Sequence, residues 1–236
     1  MKRLFAVTLV LTIAATLFAQ DRGGPATIED AFLRQQIEIQ ILRSQARSTD
    51  RDAKLFALET VREMYENGRL DQSTELFDIV RTLATEGTSN QVRQAGRIVN
   101  NFPVVRKEAA ALLGDIGGAD AQRVLLLIVR EDPEPMVLAE AVYALGKVGA
   151  LDNADEVADH IVFTLTRENA RISPDNNLAL ATLLGLERLF ESGLEFRDPI
   201  QLQNTIGLII DMSTNYRYIT IVRNRAQSIL STLIAR

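Results

Sequence analysis

Apolar residues recur at helical spacing along most of the chain, and no stretch sustains the alternation of a strand. One helical phrase is stated twice. Residues 105–118 read VRKEAAALLGDIGG, and residues 137–150, thirty-two further on, read VLAEAVYALGKVGA. Six of the fourteen positions are identical: Val105/Val137, Glu108/Glu140, Ala109/Ala141, Leu113/Leu145, Gly114/Gly146 and Gly117/Gly149. Ile116 and Val148 keep the same character. A period in this range marks stacked repeats, because one unit cannot bury its apolar face alone. Looser copies run over residues 53–66, with Ala57, Val61 and Met64 in the apolar places, and 178–191, anchored by Leu186 and Leu189. A third runs over 222–235, with Val222, Arg223, Ala226, Leu230 and Leu233.

These phrases predict the first helices of successive pairs. Second helices are expected at about 72–86, 119–131, 152–169 and 199–212, with a further helical stretch at 89–102 capped by Ser89 or Asn90. Residues 27–47 read as a long helix with Thr27 as N-cap, Asp30 three residues on, and Ile28, Phe32, Ile39 and Leu42 on one stripe. The reading is an all-α chain of ten to twelve helices, an α-solenoid of stacked antiparallel pairs. Residues 20–50 form a capping helix and 51–236 the solenoid, clearest over 103–170.

The punctuation agrees with helices. Asp132-Pro133, Ser173-Pro174 and Asp198-Pro199 each join a capping residue to a proline suited to a first helical turn. Asn67-Gly68, Gly117-Gly118, Gly149 and Gly193 stand where a left-handed residue would close a last turn. Ala109 and Ala141 permit close approach of paired helices. Gly114 and Gly146 stand late in a helix, where glycine costs up to ~1 kcal/mol against alanine. A cost taken twice at one register predicts a neighbouring helix at that place.

The repeated phrase resembles the short HEAT-like repeat family, in the form found in bilin-lyase-type and many bacterial proteins, roughly Val-Arg-x-x-Ala-x-x-Ala-Leu-Gly-x-Ile-Gly. Val105, Arg106, Ala109, Leu113, Gly114, Ile116 and Gly117 match it. Val137, Ala141, Ala144, Leu145, Gly146, Val148 and Gly149 match it too, with Leu138 in the arginine place. The resemblance is strong over residues 103–150 and implies an α-solenoid with a curved binding surface. It does not imply bilin chemistry, because the repeat is far more widespread than that activity.

The first twenty residues differ from the rest. Lys2 and Arg3 precede an uncharged run from Leu4 to Ala19, and Asp21, Arg22, Gly23, Gly24 and Pro25 follow. This is the layout of a secretory signal peptide, assigned to residues 1–19. Cleavage after Ala19 places Leu17 at the minus-three position. Cleavage after Ala14 fits the small-residue rule better but leaves apolar residues on the mature end. A retained anchor is the alternative, although the sixteen-residue run is short of the roughly twenty that a spanning helix needs. The chain has no cysteine, which closes the lipoprotein route and excludes disulfides and thiolate metal sites. The expected address is the periplasm or the outside of the cell, with no stable membrane insertion after cleavage.

Formal net charge is −5, and without Lys2 and Arg3 there are 24 basic against 31 acidic residues, about −7. No basic stripe offsets this, so nucleic acid and anionic membranes are not expected partners. The single histidine, His160, reads as a solvated helix position rather than a catalytic or metal site. Gly117-Gly118 follows a helix, so it reads as a helix stop and not a phosphate cradle. Asp155/Asp159 and Glu131/Asp132 could face a hard cation, but they read as a solvated helix face or cap cluster, and no calcium-loop pattern is present. No cofactor, metal or catalytic residue is expected.

The candidate binding residues lie elsewhere. Arg123, Leu127 and Arg130 share one stripe of the second helix at 119–131, and Arg167 extends a similar stripe in the next unit. Second helices are where a concave face is expected, and this stripe suits an acidic peptide or a carboxylate. Tyr143 stands where the preceding repeat has Ala111, as a partner anchor or as packing at a repeat seam. Tyr216 and Tyr218 read as closing the stack. The expected function is a non-catalytic scaffold that binds a protein or peptide. The alternative is a structural subunit of an envelope complex, which should leave Ile37 and Ile41, or Ile219 and Ile221, unburied; an enzyme with an unrecognised site ranks third.

Overall fold

The structure, a computed structural model, describes residues 28–69, 74–170 and 173–235. The leader at 1–19 and the Thr27 cap lie outside these residues. Among the described residues there are ten helices: α1 (Ile28–Arg47), α2 (Arg51–Glu66), α3 (Thr74–Ala84), α4 (Pro103–Ile116), α5 (Gly118–Glu131), α6 (Pro135–Val148), α7 (Ala154–Asn169), α8 (Asn176–Glu191), α9 (Pro199–Thr214) and α10 (Thr220–Ile234). Two short strands, β1 (Arg93–Gln94) and β2 (Arg97–Ile98), precede α4. The chain divides into two units within α1, and the second, Leu42–Arg236, holds the repeats.

In that second unit the helices pack as two layers. The expected first helices α2, α4, α6, α8 and α10 lie side by side in one layer, and the second helices α3, α5, α7 and α9 in the other. The repeated phrase supplies the core at a constant register. Val105, Val137 and Val222 are fully buried, as are Ala57, Ala109, Ala141 and Ala226, and Val61, Leu113 and Leu145. The first layer is held close by its small residues. A Cβ on Gly114 would lie 2.7 Å from Ala144 Cβ, and one on Gly146 would lie 2.5 Å from Gly185 Cα. Both glycines therefore mark helix crossings where the neighbouring helix leaves no room for a side chain.

The helix ends correct part of the sequence reading. Asp198 caps α9, accepting from Ile200 N at 2.8 Å with Pro199 in the first turn. Asp132 instead closes α5, and α6 starts at Pro135. Ser173-Pro174 precedes Asp175, whose carboxylate is the true cap of α8, accepting from Asn177 N and Leu178 N at 2.8 and 2.9 Å. Gly117 and Gly149 end α4 and α6 at φ 70° and 83°, but with ψ near −170°, a region open essentially to glycine alone. The extended ψ breaks the helix at once, so Gly118 opens α5 rather than closing α4.

Residues 89–102 are not helical, contrary to the sequence reading. Arg93 pairs with Ile98 and Gln94 with Arg97 in a two-stranded hairpin. Ala95 and Gly96 form its loop at φ 47° and 80°, the two positive values that a tight hairpin turn demands. Asn100 supports it from outside, its Oδ1 accepting from Val92 N and its Nδ2 donating to Asn90 O, both at 2.8 Å. Asparagine side chains that bond nearby backbone in this way compete with the helix.

The hairpin segment enters a buried polar clasp. Arg106 and Asp132 are 0% and 3% exposed and form a two-pronged pair, Nε to Oδ2 at 2.6 Å and Nη2 to Oδ1 at 3.2 Å. Arg106 Nη1 also donates to Asn101 Oδ1 at 2.7 Å and to the Glu86 carbonyl at 3.3 Å. Lys54 Nζ donates to Glu86 Oε2 at 2.5 Å and to the Ala46 carbonyl at 2.7 Å, again out of water. Burial pushes the Glu86 carboxyl up from its ordinary value, against the opposing pull of Lys54 and Arg106.

Two glycines give opposite expectations for packing. Replacing Gly146 by leucine forces α6 from α8 and should cost ~1–3 kcal/mol. Gly207 lies inside α9, and a Cβ added there would meet nothing within 4 Å, so alanine should add about 0.4–1 kcal/mol. Thermal unfolding of both variants checks this; an unchanged melting temperature for Gly146→Leu would contradict the layer packing.

Candidate functional site

The polar face of the first layer is tied to itself. Asp115 on α4 accepts from Arg62 of α2 at 2.8 Å and pairs with Lys147 of α6. Its backbone carbonyl accepts from the Tyr65 hydroxyl at 2.5 Å. Glu187 of α8 pairs with Arg225 of α10. Each of these links joins neighbouring repeats, so these charges hold the stack and are occupied in doing so.

Grooves lie in both layers: one of about 390 Å³ in the first, lined by Phe56, Glu59, Arg62 and Glu108 among others, and two in the second. A groove of about 440 Å³ runs between α3 and α5, lined by Phe77, Arg81, Thr85, Asp120, Arg123 and Leu127 among others. A second, of about 510 Å³, runs between α7 and α9, lined by Asp159, Phe163, Thr166, Asn204, Leu208 and Asp211 among others.

The residues singled out from sequence divide between these surfaces. Arg123 and Leu127 meet in the α3/α5 groove, and Arg123 is held by an ion pair to Asp120 one turn away. Arg130 is exposed at the end of the same stripe, and its carbonyl accepts from Arg167 Nη1 at 3.4 Å. Arg167 therefore links α7 to α5, with a second bond from Nε to Glu168 at 3.4 Å. Tyr143 is apart from the other four, half-buried in the first layer. The Arg188 guanidinium lies 4.2 Å over its ring, and Arg188 Nη2 donates to its hydroxyl at 2.8 Å. Tyr143 is thus packing at the α6/α8 seam. Tyr216 is exposed, whereas Tyr218 is buried and its hydroxyl accepts from Asn169 Nδ2 at 2.5 Å.

The acidic pairs separate in the fold. Asp132 faces inward to Arg106, while Glu131 accepts from the Ser89 hydroxyl. Asp155 lies 3.9 Å from Arg197, and Asp159 lines the α7/α9 groove. His160 is partly exposed, 3.8 Å from Glu156 one turn away. No group of three or more histidine, aspartate or glutamate side chains among the described residues is arranged to hold a metal. Sequence reasoning passed over Phe163, an exposed aromatic on α7. Its position one turn beyond Asp159 and three residues beyond His160, on the polar side of that helix, was the available signal.

Helix pairs stacked in two such layers define an α-solenoid. Residues 96–172, which take in α4 to α7, match the family model for HEAT repeats, so this part of the solenoid is built of HEAT repeats. Comparison with curated proteins finds no match.

One first-layer carboxyl is not well served. Glu140 on α6 is half-buried, and burial raises it above its ordinary value of 4.5; Lys107 and Lys147 pull it down, and Glu108 and Asp115 push it up. With the folded value raised, the stabilising effect of the protonated form is complete below the unfolded value and is lost as pH rises through the folded one. Glu140→Gln should therefore raise the melting temperature at pH 7, and the gain should shrink as pH falls toward 4.5. A gain that grows on acidification would contradict this assignment.

Proposed function

We propose that the protein is a non-catalytic scaffold that binds a protein or peptide on the face of its second-layer helices, in the bacterial envelope or outside the cell. One observation carries the reading: Arg62, Asp115, Lys147, Glu187 and Arg225 of the first layer are engaged in links between repeats, while the two second-layer grooves hold Arg123 and Leu127 of the α5 stripe and the exposed Phe163. HEAT repeats commonly serve as protein-interaction scaffolds. The α5 stripe of Arg123, Leu127 and Arg130 is the leading contact surface, and Arg167 extends it. Export is supported by the basic start, apolar run and polar break of residues 1–25. No helix among the described residues is long and apolar enough to cross a membrane.

A structural role in an envelope complex is the second reading. It is favoured by apolar side chains left in solvent at the end of the array: Ile219, Ile221 and Ile234 on and before α10 are 50%, 64% and 86% exposed. Ile37 and Ile41 are exposed as well.

Capture from envelope extracts by the full chain separates the two. Arg123→Glu with Arg130→Glu should abolish capture of partners that the unaltered chain retains, and survival of capture would remove the α5 stripe from the account. Loss with Ile219→Ser and Ile221→Ser instead would favour the structural role. The intact mass of the same preparation should lack the first nineteen residues, and a full-length mass would contradict cleavage.

A further inference from the structure

The α7/α9 groove differs in kind from the α3/α5 groove. In the latter the charges are already matched, Arg81 with Asp78 at 2.9 Å and Arg123 with Asp120. Asp159 and Asp211 line the former, and neither stands in an ion pair among the described residues. The Asp211 carboxylate accepts one hydrogen bond, from Asn215 Nδ2 at 3.3 Å. Between the two carboxylates the floor is apolar: Val162 is buried, Leu208 half-buried, and Phe163 is 60% exposed.

The two walls are in register. Asp159, Val162, Phe163 and Thr166 follow i, i+3, i+4, i+7 on α7, and Asn204, Leu208 and Asp211 follow i, i+4, i+7 on α9. Phe163 and Leu208 each stand nine residues beyond the first residue of their helix, the chain runs through α8 in the other layer between the two helices, and both side chains line the one groove, which we take as their common level. Asp159 then sits four residues before this level on one wall and Asp211 three residues after it on the other. At the helical rise the carboxylates are ~10 Å apart along the groove. Burial first and Asp211 second hold the Tyr218 phenol above its ordinary value, against the opposing effects of Asn169 and Arg217.

We infer that the α7/α9 groove binds an amphipathic helical segment of a partner protein, with apolar side chains seated on Phe163 and Leu208 and a lysine or arginine reaching each of Asp159 and Asp211. A helix with cations at i and i+7 spans ~10 Å between them and carries its i+3 and i+4 side chains on the same face. This is recognition of a helix in a groove, in which apolar anchors give affinity and the flanking charges fix register. It rests on the proposed role of the second layer as a binding face, and it assigns that face a cationic partner at α7/α9, distinct from the acidic group suited to the α5 stripe.

The test is fluorescence anisotropy of the full chain with a labelled helical peptide carrying lysines at i and i+7 and leucines at i+3 and i+4, against the same peptide with glutamates in place of the lysines. The lysine peptide should bind, weaken with added salt, and exceed the glutamate peptide by about tenfold or more. Asp159→Asn with Asp211→Asn, and separately Phe163→Ala, should each lower its affinity about tenfold with melting temperature unchanged, because Phe163 and Asp211 are exposed and the half-buried Asp159 stands in no ion pair. Arg123→Glu with Arg130→Glu should leave it unaltered. Equal binding of both peptides, no binding of either, or full binding by the aspartate variant would overturn the assignment. Self-association of the chain that the aspartate variant abolishes would likewise overturn it, in favour of a second copy as occupant. Failure of the peptide while capture still depends on Arg123 and Arg130 removes this inference alone; peptide binding with capture indifferent to those arginines removes the α5 stripe alone.

Discussion

The stack depends on a buried ion pair that joins the two helices of a repeat. Arg106 near the start of α4 and Asp132 at the end of α5 meet face to face out of water. Taking two such charges from water costs several kcal/mol per ion, which is offset only when the geometry is good and the remaining polar sites are served. Here they are: the second face of the guanidinium is used by Asn101 and the Glu86 carbonyl, and Asp132 also accepts from Glu134 N at 2.9 Å, shaping the link into α6. The same device appears one repeat earlier. Lys54 stands in the phrase of α2 where Arg106 stands in that of α4, and it meets Glu86 just beyond α3. In the next repeat Leu138 fills the cation's place, fully buried and with no charge to match. At the end of α7 the Arg-Glu-Asp of α5 becomes Arg167-Glu168-Asn169, and the neutral Asn169 bonds the Tyr218 hydroxyl.

This clasp also explains why the hairpin is tolerated between α3 and α4. Glu86 and Asn101 bracket that segment, and both are ligands of the same guanidinium. With its two ends fixed, the intervening chain is free to leave helical geometry. The layers then divide the work. Glycine and alanine bring α4, α6 and α8 into backbone contact, and first-layer charges tie successive repeats together. Grooves remain in the second layer between α3 and α5 and between α7 and α9, and in the first layer between α2 and α4.

Much of this architecture was legible in the sequence because the repeat places small residues at fixed spacing. Gly114 and Gly146 announced close crossings, and each of the second helices from α3 to α9 begins within two residues of its expected start. Residues 89–102 misled because Val92-Arg93 and Gly96 imitate the repeat phrase, while Gly96 in fact serves a turn and the Asn100 amide serves the backbone of Asn90 and Val92. Asp132-Pro133 misled because an aspartate before proline looks the same whether it caps the helix to come or closes the one before. The site was less legible than the fold. Arg123, Leu127 and Arg130 share the stripe expected of them, but Tyr143 belongs to the opposite layer, and the α7/α9 groove joins residues some forty-five positions apart that no local pattern connects.

The most direct measurement is a double-mutant cycle on the clasp, read by urea unfolding at neutral pH. Asp132→Leu alone leaves Arg106 buried without its partner and should cost ~3–5 kcal/mol. Arg106→Met with Asp132→Leu removes both charges, as Leu138 does naturally in the following repeat, and should recover most of that loss. Single variants that each cost less than ~1 kcal/mol, or a double variant whose loss equals the sum of the two singles, would contradict the clasp as the interaction on which the stack depends.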